Sequence, residues 1–192
     1  MKPKAVYLPE KLQLIGISGT FSSGKDTIAH RLVADFGYTH VSTSDLVREE
    51  ALRQYDSIER PVMHKVADEY RKENGAGAFV KLTLAKPRPL VVTGLRSLGE
   101  AQVVKQNGGL LLFVDAPLEV RYNRMVSRLR DGEAQISLEE FRQREEKEMY
   151  SGPTDADFNI VGISKMADIT FHNSGSYEQF IAEVYAKLGL KQ

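Results

Sequence analysis

An α/β fold on a parallel sheet is predicted by three features of this chain. Short apolar runs alternate with longer helical patterns, several of those patterns open on capping boxes, and a glycine-rich loop joins the first run to the first helix. With 192 residues the chain suffices for one domain with a real core and falls short of two ordinary ones, so residues 1–192 are read as a single domain. Hydrophobic residues at 42% and charged residues at 27% describe a globular chain rather than a disordered one. Lys+Arg and Asp+Glu balance at 26 each, so no bulk positive field draws the protein to nucleic acid or to an anionic membrane. The absence of cysteine excludes a disulfide framework and a thiolate metal site. No apolar run follows the early lysines Lys2 and Lys4, and none approaches the roughly 18 residues of a membrane span. The expectation is a soluble cytoplasmic protein, monomer or homodimer, without nucleic-acid or membrane partners.

The first apolar run, residues 12–18, reads as a buried strand, and the segment after Lys25 reads as a helix. Between them lies Gly19-Thr20-Phe21-Ser22-Ser23-Gly24-Lys25-Asp26-Thr27, with Gly, Gly and Lys at the spacing of a phosphate-binding loop. A loop placed there points successive N–H groups at a phosphate, and the helix dipole adds to the attraction. Gly19 and Gly24 permit positive φ and close backbone approach. Lys25 supplies a point charge for the β and γ phosphates of a nucleotide, flanked by Ser22, Ser23 and Thr27. The strict pattern has Ser or Thr directly after the lysine as a Mg²⁺ ligand, whereas here Asp26 stands there and Thr27 follows. Asp26 is therefore either the metal ligand or a first-turn acid that complements the helix dipole.

The second strand is read at residues 38–42, followed by a capping box from Ser42 and Asp45. A helical stretch of about residues 43–86 then exceeds what a minimal crossover needs. The third strand, residues 90–93, runs into Gly94-Leu95-Arg96-Ser97, with a second box at Ser97/Glu100. The fourth strand, residues 109–115, ends at Asp115, read as capping a helix that begins at Pro117. In that helix Arg121, Arg124 and Arg128 share one face, beside an apolar stripe of Leu118, Tyr122, Met125 and Leu129 expected to pack on the sheet. These arginines suit a lid over a triphosphate, with Arg124 and Arg128 preferred and Arg142 and Arg144 as weaker candidates; the alternative is a solvated face paired with the acids of residues 139–148. This second long stretch covers about residues 124–165 and carries a box at Ser137/Glu140. A fifth strand at residues 168–172 and a helix capped by Ser176/Gln179 complete the chain. His30, His40, His64 and His172 have no metal-ligand spacing and read as ordinary residues.

In order, the loop, the Ser42-Thr43-Ser44-Asp45-Leu46-Val47-Arg48 segment, the Gly94-Leu95-Arg96 turn and the arginine-bearing helix resemble the P-loop nucleoside-monophosphate kinases, with the related dephospho-CoA and deoxynucleotide kinases. The resemblance implies a three-layer sandwich around a five-stranded parallel sheet of order 2-3-1-4-5. It also implies an acceptor-binding insertion at about 43–86 and a lid at about 124–165. It implies ATP and Mg²⁺ as cofactors, and transfer of the γ-phosphoryl group to a nucleotide-type small molecule. Residue by residue, Arg48 and Arg96 match the arginines that grip the acceptor phosphate. Asp45 matches an acid near the acceptor that acts as base in some members, unless it only serves its capping box. Arg124 and Arg128 match lid arginines, and Lys25 the donor lysine. The family often carries an acid where Thr93 stands, which raises the value of Asp26 as the metal candidate, with Asp115 as a weaker alternative to its capping role. A nucleotide-dependent switch or a degenerate binding scaffold is the alternative function. No Asn-Lys-x-Asp element is present for a GTPase switch, and Thr93 is not the acid of a motor ATPase.

Overall fold

Continuous aliphatic runs become strands buried on both faces, which is the pattern of a parallel sheet covered by helices on each side. The computed structural model describes residues 9–128 and 135–191. Its strands are β1 (Leu14–Gly19), β2 (Thr39–Ser42), β3 (Leu90–Thr93), β4 (Leu110–Asp115) and β5 (Ile169–His172). They pair in parallel in the order β2-β3-β1-β4-β5, so β1 lies at the centre and carries its loop between β3 and β4. This is the predicted sheet. Four strands begin one or two residues later than the apolar runs suggest. Leu12 belongs to a short 3-10 turn, Glu10–Leu12, whose carbonyl takes the Tyr38 hydroxyl at 2.7 Å. Asp168, ahead of β5, accepts from Lys105 Nζ at 2.6 Å and from the Leu111 amide at 2.8 Å.

Residues of alternating parity divide the core. Ile15, Ile17, Leu112 and Val114 face α1 (Lys25–Phe36) and α9 (Tyr177–Leu188). Leu14, Val92, Leu111 and Phe113 face α5 (Leu98–Gln106) and α8 (Ile160–Met166). The result is three layers, with the carboxyl ends of the strands opening on one edge, where ligands of such sheets bind. Among the described residues no helix is long and apolar enough to cross a membrane.

The stretch 43–86 folds as α2 (Thr43–Tyr55), α3 (Arg60–Asn74) and α4 (Ala78–Thr83), around a small core that includes Val47, Ala51, Val66 and Phe79. The stretch from Arg124 is less uniform than its charge pattern suggests. It contains the end of α6 (Leu118–Val126), then α7 (Leu138–Met149), but its last part is α8, whose Ile160 and Ile163 are buried under the sheet. Residues 129–134 of the expected lid, Leu129 of the stripe among them, lie outside the described residues. The α6 stripe packs differently from expectation. Tyr122 meets Phe141 of α7 edge-on at 6.0 Å, its hydroxyl donates to Ile136 O, and Met125 lines a cavity, so the stripe faces α7 and not the sheet.

Reciprocal capping boxes start α5, α7 and α9 at Ser97/Glu100, Ser137/Glu140 and Ser176/Gln179. Ser42/Asp45 is not a box, because the Asp45 carboxylate pairs with Arg48 one turn on instead of reaching back to the cap. Pro117 occupies the N-cap of α6 without a side-chain cap, and Asp115 accepts the Thr20 hydroxyl at 2.7 Å rather than capping that helix.

Candidate active site

The loop from β1 to α1 turns tightly because two glycines leave room that any side chain would fill. A Cβ on Gly19 would stand 2.2 Å from the Val114 carbonyl oxygen. Gly24 has φ 102° and caps α1, and its Cβ would collide with Asn173 Nδ2 at 2.4 Å. Ser22 also has a positive φ, 56°, a conformation that non-glycine residues adopt mainly where surrounding structure enforces it. The outcome is a loop closing on the N-terminus of α1, whose first amides and dipole favour an anion, while Thr27 N already donates to Gly24 O at 3.1 Å. Asn173 Nδ2 donates to Ser23 O at 2.8 Å, and Arg124 Nη1 donates to the same carbonyl at 3.3 Å, so the loop is braced from the β5 side.

Lys25 begins α1, half-buried. Burial pushes its ammonium below the usual lysine range; Asp26 and Glu148 pull it back up, while Arg96 and Arg128 push further down. The predicted residues Lys25, Asp26, Arg96 and Arg128 therefore share one electrostatic neighbourhood. Asp26 itself is exposed.

Against the loop lies a cavity of about 550 Å³. Its cationic lining comes from Lys25, Arg48, Arg60, Arg71, Arg96 and Arg144, and Glu148 is the one carboxylate among the described lining residues. Val47, Ile58, Met63, Met125 and Phe158 supply apolar wall. Of the sequence-predicted acceptor residues, Arg48 and Arg96 are here. Asp45 is not: its side chain is 63% exposed and tied to Arg48 at the rim.

The centre of this cavity is a cluster that sequence reading missed. Glu148, on α7, has a side chain only 4% exposed and binds Arg60 through Oε1 and Arg96 through Oε2, with His64 Nε2 at 3.4 Å. Burial alone would raise its carboxyl, but Arg96, His64 and Arg60 outweigh it and hold the group down at about 2. The Arg60 and Arg96 guanidinium groups also lie over the Phe21 ring, 4.6 and 5.1 Å from its centroid. Three residues along α7, Glu145 accepts the Phe21 amide at 2.8 Å and pairs with Arg121. Two acids at i and i+3 on α7 thus hold the β1–α1 loop together with Arg60 and Arg96. The arrangement corrects one expectation: Arg121 is buried against Glu145 and Ala116 O and does not share a lid face with Arg124 and Arg128. Arg142 is engaged with Glu139 and Glu146 on the surface.

A second cavity, of about 360 Å³, lies on the other side of the loop between Arg124, Arg128, Thr27, Asn173, Tyr177 and Phe180. Arg124 is fixed there by Asn173 O and Oδ1, at 3.2 and 3.1 Å. Its guanidinium is pushed down by burial and by Arg128. The two cavities meet at Ser22. Thr93, where an acid was looked for, is buried and hydrogen-bonded to His40 Nε2 at 2.9 Å. Among the described residues no cluster of three or more His, Asp or Glu is disposed to hold a metal ion alone. A Mg²⁺ carried mainly by phosphate oxygens needs only one or two carboxylates, for which the exposed Asp26 at the first turn of α1 is the candidate.

The AAA domain family matches residues 15–149. A UPF0200/UPF0201 protein of Archaeoglobus fulgidus is 33% identical over 184 residues, 91% of this chain. The chain spans 54% of that relative's length. A UPF0200 protein of Thermococcus kodakarensis is 31% identical over 185 residues, covering 89% of this chain and 94% of its own. Among solved structures, the shikimate kinase of Acinetobacter baumannii in complex with shikimate is similar in fold, with a TM-score of 0.61, 13% identity and coverage of 94% and 95%. A gluconokinase of Sinorhizobium meliloti has a TM-score of 0.58, 13% identity and coverage of 94% of both chains. The fold is that of the P-loop small-molecule kinases.

Proposed function

We propose, from the premise that this chain belongs to the AAA domain family and to the UPF0200 proteins, that it is a cytoplasmic enzyme which moves the γ-phosphoryl group of ATP to a nucleotide-type acceptor. The observation that carries this reading is the meeting of a phosphate-binding loop and a cation-rich cavity at Lys25. A triphosphate held by the loop amides and Lys25 would present its terminal phosphorus toward that cavity, with its nucleoside in the smaller cavity beside Arg124 and Arg128. An acceptor oxygen in the larger cavity attacks the γ-phosphorus, the bond to the bridging oxygen breaks, and ADP leaves. The protein's part is positioning and charge neutralisation, for which Lys25, Arg96 and Arg128 are placed. Asp26 is the residue to hold Mg²⁺, which when bound neutralises phosphate charge.

The acceptor is taken as a nucleoside or deoxynucleoside monophosphate in preference to dephospho-CoA. A hydroxyl acceptor benefits from a general base, whereas a phosphate oxygen is already ionised near neutral pH. The carboxylate lining the cavity, Glu148, is committed to Arg60 and Arg96, and Asp45 stands outside it. The surplus of cationic lining supports an acceptor that carries its own phosphate. A motor-type function is disfavoured by the neutral, buried Thr93, and a GTPase switch by the lack of an Asn-Lys-x-Asp element.

The test is ADP release from ATP and Mg²⁺ with a panel of nucleoside monophosphates, dephospho-CoA, shikimate and gluconate. Release that depends on an acceptor is the expected result, and Lys25→Ala abolishes it while far-UV circular dichroism stays unchanged. Hydrolysis at the same rate with and without acceptors would refute the transfer reading, and normal rates in Lys25→Ala would refute the donor site.

A further inference from the structure

We infer that Arg71 reads a carbonyl oxygen on the acceptor's base, so that the acceptor is a keto-base nucleotide; this rests on the monophosphate reading above. Arg71 lies at the end of α3 and is 3% exposed, yet it lines the larger cavity. Its Nε and Nη2 donate to Glu100 Oε1 at 3.3 and 2.9 Å. The other carboxylate oxygen of Glu100 takes the Arg96 and Ser97 amides at 2.7 and 3.3 Å. Glu100 is therefore saturated and holds Arg71 against the Gly94-Leu95-Arg96-Ser97 turn. Arg71 Nη1, however, is buried without a hydrogen-bond partner among the described residues. A buried N–H left unpaired is costly, and such a group in a native protein calls for a partner.

The chemistry of that partner is constrained. A guanidinium only donates, so the partner accepts. Glu100 already neutralises the charge of Arg71, and a second buried anion would be uncompensated. A neutral carbonyl oxygen meets both conditions.

Its place on the acceptor follows from α3. Arg60, His64, Ala67 and Arg71 recur at i, i+4, i+7 and i+11 and all line the cavity, so one helix face runs along it. Arg60, at the near end, stacks on Phe21 of the phosphate-binding loop. Arg71 is about three turns on, a rise of roughly 16 Å. There its guanidinium sits 5.3 Å from the Phe158 ring centroid and 5.5 Å from that of Phe79. An elongated acceptor with its phosphate toward Arg60 and Arg96 and a flat ring along Ala67 and Phe158 brings a distal oxygen to Arg71. A short hydroxy acid does not span this length.

Two nucleotide pairs vary the group concerned: UMP against CMP and IMP against AMP each exchange one ring carbonyl for an amino group, the adjacent ring N–H becoming an acceptor with it. Acceptor-dependent ADP release is measured for all four, with shikimate as a non-nucleotide control and dephospho-CoA as a nucleotide that offers a hydroxyl. The keto member of each pair is expected to exceed its partner by at least about tenfold in kcat/KM, because an amino group meets the N–H with another donor. Arg71→Met combined with Glu100→Gln, which strands no charge, is expected to lose that ratio without changing the KM for ATP. Equal rates within both pairs, or an unchanged ratio in a folded double variant, would overturn the proposal and leave the kinase reading intact. Since the wild-type ratios are informative by themselves, failure of the variant to fold does not rescue it. Turnover only with shikimate or dephospho-CoA overturns it together with the monophosphate reading, whereas no acceptor-dependent release with any compound overturns phosphoryl transfer itself.

Discussion

Glu148 sets the balance of charge at the site. It is a carboxylate almost out of contact with water, and two arginines and a histidine converge on it from α3 and from the turn after β3. Its carboxyl is held at about 2, against an ordinary 4.5. The native state therefore keeps it ionised where the unfolded chain would protonate it. The corresponding stability is fully present above pH 4.5 and is lost as the pH falls toward 2. A shift of this size corresponds to a contribution on the order of 3 kcal/mol. Glu148→Gln should be less stable than wild type at pH 6, and the gap should close as the pH approaches 2.5. Urea denaturation of both proteins across that range reads it directly. A gap that stays constant with pH would mean that Glu148 is not ionised in the native cavity.

At the scale of elements, α7 links loop and acceptor side, and its sequence gave little sign of this. Its charges read as a solvated surface, which holds for Glu139 and Arg142. Glu145 and Glu148 fall on the opposite side, beside Phe141, whose ring meets Phe21 at 6.0 Å. Acids spaced with a core phenylalanine were the available signal, but a buried acid is recognisable only once its arginine partner is known, and these partners are distant in sequence. The same applies to Arg71, which looks like an ordinary charge near the end of an amphipathic helix. What local chemistry dictates was legible: the glycine-rich loop, the strand order implied by the resemblance, and three reciprocal capping boxes. Arg48 and Arg96 were legible because each falls in a segment that carries the resemblance, the stretch after β2 and the turn after β3, whereas Arg60, Arg71, Glu145 and Glu148 lie on helices outside those segments. The distinction within α7 has a measurable consequence. Glu145→Ala takes from the buried Arg121 its short carboxylate contact, leaving Asp115 at 3.9 Å, and frees the Phe21 amide, so it should cost roughly 3 kcal/mol. Glu139→Ala should leave the urea midpoint unchanged. Similar midpoints for the two variants would show that α7 does not hold the loop in solution.

Considered whole, the molecule is a sheet with two well-packed faces and a ligand edge assembled from parts that are packed less deeply. The α2–α4 unit has its own small core, α7 reaches the sheet through Phe21 and the acidic pairs, and the loop is braced from β5. A ligand spanning these parts stabilises the native chain by mass action, because the unfolded chain has no loop to bind it. ATP with Mg²⁺ at 100 times its Kd should add about 2.7 kcal/mol. For a chain of this size, each kcal/mol corresponds to about 2–4 °C, so the expected rise in Tm is about 5–10 °C. Lys25→Ala should lose most of that rise while keeping nearly the wild-type Tm without nucleotide, because its ammonium contributes to the ligand more than to the core. In the proposed reading the monophosphate engages the α3 wall and the nucleoside of ATP the cavity beside Arg124, two parts of the site that meet at Ser22. The monophosphate's own shift should be reduced strongly in Arg96→Ala and less in Lys25→Ala, because Lys25 also lines this cavity and Arg96 stands in its electrostatic neighbourhood. Differential scanning fluorimetry of the three proteins with each ligand separates the two walls. Loss of both shifts in Lys25→Ala would indicate one merged pocket and would remove the division of labour on which donor and acceptor were assigned.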